Sequence, residues 1–131
     1  MSAVQTALAF DYGVKRLGVA SGNRLTGTAE PLKTIALTGD ARFAAIAKII
    51  KEWQPEALVI GVPRHPDGTE HEITVAARRF GRSLSGRFHL PVFEVDERYT
   101  SVEAESLGAK DLDSAAAALI LEQFFREQQP S

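Results

Sequence analysis

Ala7-Leu8-Ala9-Phe10-Asp11-Tyr12-Gly13 is a short apolar run that ends on a carboxylate and a turn. Apolar residues at consecutive rather than alternate positions predict a strand buried on both faces, central in a sheet that is covered on each side. Residues 17–21 and 28–36 are short β-prone segments separated by Gly22-Asn23 and by Gly27, so an antiparallel meander should follow the first strand. The six residues that open the chain have neither the charged start nor the long apolar stretch of a secretory signal.

Beyond residue 39 the period changes. Phe43, Ile46, Ile49, Ile50 and Trp53 recur at three- and four-residue spacing, which predicts a helix over residues 40–54, capped by Asp40 and stopped by Pro55. Ala57-Leu58-Val59-Ile60 repeats the buried-strand pattern, and reaching it through a helix implies a crossover to a parallel neighbour. A loop rich in glycine and proline follows, and Thr69 with Glu72 has capping-box spacing for a second helix carrying the apolar stripe Ile73, Ala76, Ala77, Phe80 and Leu84. Residues 91–95 read as a last strand. Thr100 and Glu103 have capping-box spacing for a short helix, and residues 113–128 form a final helix that is apolar almost all round. The expected architecture is a single α/β domain over residues 1–131, with a mixed five-stranded sheet, three antiparallel strands and then two parallel ones, flanked by helices.

A chain of 131 residues with 44% hydrophobic composition is long enough to bury one core. No apolar run approaches the roughly 20 residues of a membrane helix, so a soluble protein without a membrane partner is expected. The absence of cysteine removes disulfides and thiolate metal ligands and fits a reducing compartment, the cytoplasm. A formal net charge of -2 gives no general attraction to a polyanion. Charge is segregated, however. Arg64, Arg78, Arg79, Arg82 and Arg87 lie between residues 64 and 89, whereas Glu94, Asp96, Glu97, Glu103, Glu105, Asp111 and Asp113 cluster just beyond.

Candidate chemistry begins at Asp11, because ligands of α/β sheets sit outside the carboxyl ends of strands. A turn residue accepting backbone N–H groups is the plain alternative. Asp96 and Glu97 close another apolar strand, and alternation allows only one of them to share the face of Asp11 while the strand lasts. Asp113 opens the last helix, where an N-cap would account for it equally well, and Asp111 competes with it. Carboxylates converging on one cleft repel one another unless a cation intervenes, and all-oxygen ligands favour Mg²⁺ or Mn²⁺, with two ions suited to phosphodiester hydrolysis. The histidines His65, His71 and His89 lack zinc-ligand spacing, and neither a Walker A loop nor a GxGxxG motif is present. Lys15 and Arg16, directly after Asp11, are placed to meet phosphates; Arg78, Arg79 and Arg82 form a basic helix face that is either a phosphate contact or merely solvated. Arg98 either joins them or pairs with a neighbouring acid.

The stretches AFDYGVKRLGVASGNRLTGTAEPL at residues 9–32, LVIGVPRHPDGTE at 58–70, DERYTS at 96–101 and DSAAAALILEQFF at 113–125 together resemble the YqgF family, also called RuvX. The resemblance implies a ribonuclease H-like fold related to Holliday junction resolvases and a nuclease role in maturing the 5′ end of the precursor of 16S ribosomal RNA. Structured RNA is then the expected partner, with branched DNA as the alternative and a pre-ribosomal particle as context, and the protein is expected as a monomer or weak homodimer. A non-catalytic nucleic-acid-binding regulator is the remaining reading. The family motifs fall on Asp11, on Asp96, Glu97 and Arg98, and on Asp113, so Asp11, Glu97 and Asp113 are the expected catalytic and metal-binding set, with Asp96 and Asp111 as alternates. Two departures stand out: residues 101–113 are shorter than in many relatives, and Gly61 stands where resolvases of this fold carry a glutamate.

Overall fold

The computed structural model describes residues 4–63, 72–96 and 112–127. Its elements are β1 (Thr6–Asp11), β2 (Leu17–Asn23), β3 (Thr28–Ile35), α1 (Gly39–Trp53), β4 (Ala57–Val62), α2 (Glu72–Phe88), β5 (Val92–Asp96) and α3 (Leu112–Glu127). The strands form one sheet in the order β3-β2-β1-β4-β5. β1, β2 and β3 are antiparallel neighbours, and β4 and β5 run parallel to β1, as the sequence pattern predicts.

The sheet has one face of small residues and one of large ones. Register pairs Ala7 with Gly22, Ala9 with Ala20 and Asp11 with Gly18 on one side of β1, and with Ala57, Val59 and Gly61 on the other. Paired residues project to the same face, so this face carries a track of glycine and alanine. α3, with its buried run Ala115 to Ala118, lies across β1, β2 and β3 on that track. Two close approaches show why small residues are needed. A Cβ on Gly22 would meet the Leu121 side chain at 2.7 Å, and one on Gly18 would lie 1.9 Å from the carbonyl oxygen of Asp113. The opposite face presents Leu8, Phe10, Leu17, Val19, Leu58, Ile60 and Val62, which pack with Ile46 and Ile49 of α1 and with Ala77, Phe80 and Leu84 of α2.

Several boundaries differ from the sequence reading for physical reasons. α1 starts at Gly39, and Thr38 is its N-cap without a side-chain cap bond. Asp40 is therefore a first-turn residue rather than the cap, favourable to the helix dipole and ion-paired with Arg87 at 3.6 Å. Trp53, expected in the core, is 44% exposed. On α2, Thr74 and Gly81 are buried, while Ile73 and Ala76 are only half-buried. The Thr74 hydroxyl donates to the Pro63 carbonyl, so a polar side chain is satisfied inside. β5 extends through Asp96, one residue further than expected. Thr69, Thr100 and Glu103 lie outside the described residues. Among the described residues no helix is long and apolar enough to cross a membrane.

Candidate active site

Because β1, β4 and β5 are parallel, their carboxyl ends share one edge of the sheet. β1 and β4 are adjacent there, yet the chain leaves β1 toward β2 and leaves β4 toward β5. Such a divergence of connections opens the crevice in which α/β sheets bind ligands. Asp11 is the last residue of β1 and stands at that edge, opposite Gly61 of β4 and Gly18 of β2. Gly61 contributes no side chain beside it.

The contact at Gly18 brings the start of α3 to this edge. Gly18 is the cross-strand partner of Asp11, and the start of α3 rests directly upon it: its missing Cβ would lie 1.9 Å from the oxygen and 2.2 Å from the carbon of the Asp113 carbonyl, and 2.9 Å from the Ser114 nitrogen. The first turn of α3 can therefore sit beside Asp11 only because residue 18 is glycine. The backbone of Asp113 thus lies on the face of the sheet edge that carries Asp11. Asp113 also lies in the first turn of α3, where the helix dipole favours a negative charge. Arg16 Nε donates to Asp113 Oδ2 at 2.7 Å, with the two side chains 63% and 32% exposed. A pair so exposed contributes little to stability, but it puts a cation on a carboxylate at this edge.

Asp96 falls elsewhere. It pairs in register with Val62 and shares the side of Val92 and Glu94, whereas Asp11 shares the side of Val95. Glu94 pairs with Arg78 of α2 at 3.2 Å, which fixes that side as the one facing α2. Glu97, Arg98 and Asp111 lie outside the described residues, as do His65 and His71. Among the described residues no three acids or histidines form a cluster able to hold a metal ion. The α2 arginines also occupy the face opposite α3: Arg78 is engaged with Glu94, while Arg79 and Arg82 are exposed. The structure thus brings Lys15 and Arg16 to the edge of Asp11 and Asp113, but not the α2 arginines. A cleft of about 290 Å³ lined by Ser21, Asn23, Thr28, Glu30 and Trp53 sits toward the Thr6 end of β1 and shares no residue with this edge.

One buried residue of this region carries no signal in the sequence. Arg42 of α1 is 4% exposed. Its guanidinium donates to the carbonyls of Leu37, Gly13 and Val14 at 2.7, 3.0 and 3.2 Å and lies 5.8 Å from the Tyr12 ring centre and 6.0 Å from that of Phe80. Burial lowers its pKa below the ordinary arginine value, and Tyr12 partly offsets the effect. Arg42 thereby ties the turn after Asp11 to the link between β3 and α1. The turn is tight: a Cβ on Gly13 would come within 2.5 Å of the Arg16 carbonyl oxygen.

A sequence profile described as RuvX, Holliday junction resolvase, matches residues 5–127. The chain belongs to the RuvX family. A RuvX relative from Albidiferax ferrireducens, named provisionally as a pre-16S rRNA nuclease, is 64% identical over 123 residues, which cover 94% of this chain and 79% of that protein. A protein of the same name from Polaromonas sp. is 60% identical over 123 residues, covering 94% and 89%. Among solved structures, T. thermophilus RuvC in complex with a Holliday junction substrate is similar with a TM-score of 0.60 at 15% identity, covering 95% of each chain. At that identity the likeness is one of fold, and the fold is ribonuclease H-like.

Proposed function

We propose that this chain cuts phosphodiester bonds in the precursor of 16S ribosomal RNA, at an acidic site formed by Asp11, Glu97 and Asp113. As a RuvX member it is a nuclease, a hydrolase of phosphodiester bonds. The observation that supports the assignment of the site is the Gly18 contact, in which the start of α3 rests on the cross-strand partner of Asp11 at the carboxyl edge of the sheet. A helix cap alone does not call for that approach. Glu97 is preferred to Asp96 because the register of β5 turns Asp96 to the side opposite Asp11; Asp111 is the alternate to Asp113.

The donor set suits Mg²⁺ or Mn²⁺. It consists of carboxylate oxygens, with no cysteine in the chain, and the Arg16 guanidinium on Asp113 marks where positive charge is accommodated. Asp11, Glu97 and Asp113 would hold the ions, two of them by the chemistry of the reaction; bound there they supply an activated water and stabilise the leaving oxygen. Lys15 and Arg16 hold the phosphates beside the acids, and Arg98 is a further candidate. Arg78, Arg79 and Arg82 reach only a substrate that wraps around to the α2 face. Work on a pre-ribosomal particle in the cytoplasm, by a monomer or weak homodimer, fits this reading.

Cleavage of a four-way DNA junction is the second reading, favoured by the family description and by the likeness to RuvC. Purified protein given a precursor 16S rRNA fragment and a four-way junction, each with Mg²⁺ or Mn²⁺, separates the two. Cleavage of the RNA, lost in Asp11→Asn, supports the proposal. Cleavage of the junction alone overturns the choice of substrate, and cleavage undiminished in Asp11→Asn overturns the site.

A further inference from the structure

The turn between β1 and β2 has its carbonyls drawn inward by a buried cation. Among the described residues the Arg42 guanidinium donates to backbone carbonyls and lies against aromatic faces, and two of those carbonyls, Gly13 and Val14, are consecutive in the turn that follows Asp11. No peptide bond of the described chain is cis. In a trans peptide the C=O and N–H point in opposite directions, so fixing the Gly13 and Val14 carbonyls on Arg42 turns the N–H groups of Val14 and Lys15 away from it. Neither N–H has a hydrogen-bond partner among the described residues. Val14 is 64% exposed, and Lys15 and Arg16 are exposed beside it. Consecutive outward N–H groups of a turn attract anions, and this pair is flanked by two cationic side chains.

We propose that residues 13–16 are a phosphate-binding loop, in which the N–H groups of Val14 and Lys15 donate to a backbone phosphate of the nucleic-acid strand, and that Arg42 is the positioning residue that presents them. The loop carries Arg16 to Asp113, so a phosphate held here lies next to the acids. Arg42 itself touches no substrate: it is buried, and its donors are already directed to carbonyls. Its planar fork spans three acceptors, a task the single ammonium of lysine cannot reproduce. The inference rests on the nucleic-acid reading above, although not on cleavage.

The test uses the full chain carrying Asp11→Asn, with a short single-stranded RNA as probe. In ¹⁵N-labelled protein the Val14 and Lys15 amide resonances should shift in step with RNA binding. Adding Arg42→Lys should weaken binding about tenfold, the loss of one charge-assisted hydrogen bond, while the slope of log K against log salt stays unchanged. Lys15→Gln, which removes a direct phosphate contact, should lower that slope by about 0.7. Amide resonances of Val14 and Lys15 that stay still at RNA saturation overturn the proposal. So does an Arg42→Lys protein that is folded by circular dichroism and binds as tightly as its parent, or one whose salt slope falls as that of Lys15→Gln does. Should Arg42→Lys fail to fold, the amide shifts of the parent decide alone. Shifted amides in a protein whose Asp11 form cuts no RNA would uphold the loop while refuting the nuclease site.

Discussion

Replacing Gly18 with alanine should uncouple the two described acids while leaving both in the sequence. The added Cβ would lie 1.9 Å from the Asp113 carbonyl oxygen, whereas contacts of this kind are essentially never shorter than 3.0 Å. The start of α3 must therefore withdraw from β2 by about 1 Å or more, and the neighbour is backbone, which cannot rotate aside. Overpacking of this size costs about 1–3 kcal/mol, which for a domain of this length lowers Tm by about 3–10 °C. The larger effect should be on the reaction, since a misplacement of about 1 Å in a catalytic constellation costs roughly a hundredfold in rate. Gly22→Ala supplies the comparison. It sits on the same strand and the same face, and its Cβ would meet Leu121 at 2.7 Å and the Thr28 carbonyl oxygen at 2.9 Å, but it lies at the far end of β2. It should lower Tm by a similar amount and leave the cleavage rate of the folded protein within about threefold of the parent. Single-turnover cleavage of the precursor RNA, measured alongside thermal melting, reads both. A Gly18→Ala protein that cuts at the parental rate, or a Gly22→Ala protein that loses as much activity, would refute the claim that the Gly18 contact assembles the site.

Asp11→Asn should reduce cleavage by at least about a hundredfold with Tm changed by less than about 3 °C, as gel assays and melting will show, because the side chain stands half-exposed at a strand end. Arg16→Gln should cost less than about 1 kcal/mol, since its ion pair with Asp113 is well exposed; urea unfolding measures this, and a larger loss would mean that the pair is a structural clamp. Exchange of Lys15 and Arg16 for glutamine should weaken RNA binding more than exchange of Arg78, Arg79 and Arg82 together, measured by filter binding at fixed salt, because the α2 arginines occupy the other face of the sheet. Ala117→Leu, at a fully buried position packed with Ala20, should destabilise by about 1–3 kcal/mol in the same urea assay.

The strand order and the positions of α1, α2 and α3 were readable because apolar periodicity is strong in this chain: residues 7–10 and 57–60 are continuous apolar runs, and they became β1 and β4, buried side by side. The position of Asp11 at a strand end was readable for the same reason, since a carboxylate closing such a run is conspicuous. Asp113 was ambiguous, because the first turn of a helix explains an aspartate without any chemistry. What settled its neighbourhood was Gly18, a residue whose spacing with Ala20 and Gly22 alternates like any strand and whose significance appears only when the all-small segment Ala115 to Ala118 is laid against it. That complementarity is the one signal by which sequence reasoning might have found the α3 track. Between Asp96 and Glu97 the sequence left the choice open, because it turned on where the strand ends: β5 includes Asp96, and alternation gives it the side of Glu94, toward α2. Arg42 had no signal at all. It lies between the helix residues expected to face the core, and only the three-dimensional meeting of two loops supplies the carbonyls that allow an arginine to be buried.

Asp11 and Asp113 should belong to one cation-binding site completed by Glu97. A crystal of the protein soaked in Mn²⁺ and measured at an anomalous wavelength tests it most directly. Anomalous density is expected within about 2.0–2.6 Å of carboxylate oxygens of Asp11 and Asp113, with Glu97 rather than Asp96 as the third ligand and with Arg16 displaced from Asp113. Manganese bound elsewhere with this edge left empty, or bound by Asp96 on the α2 face, would contradict it.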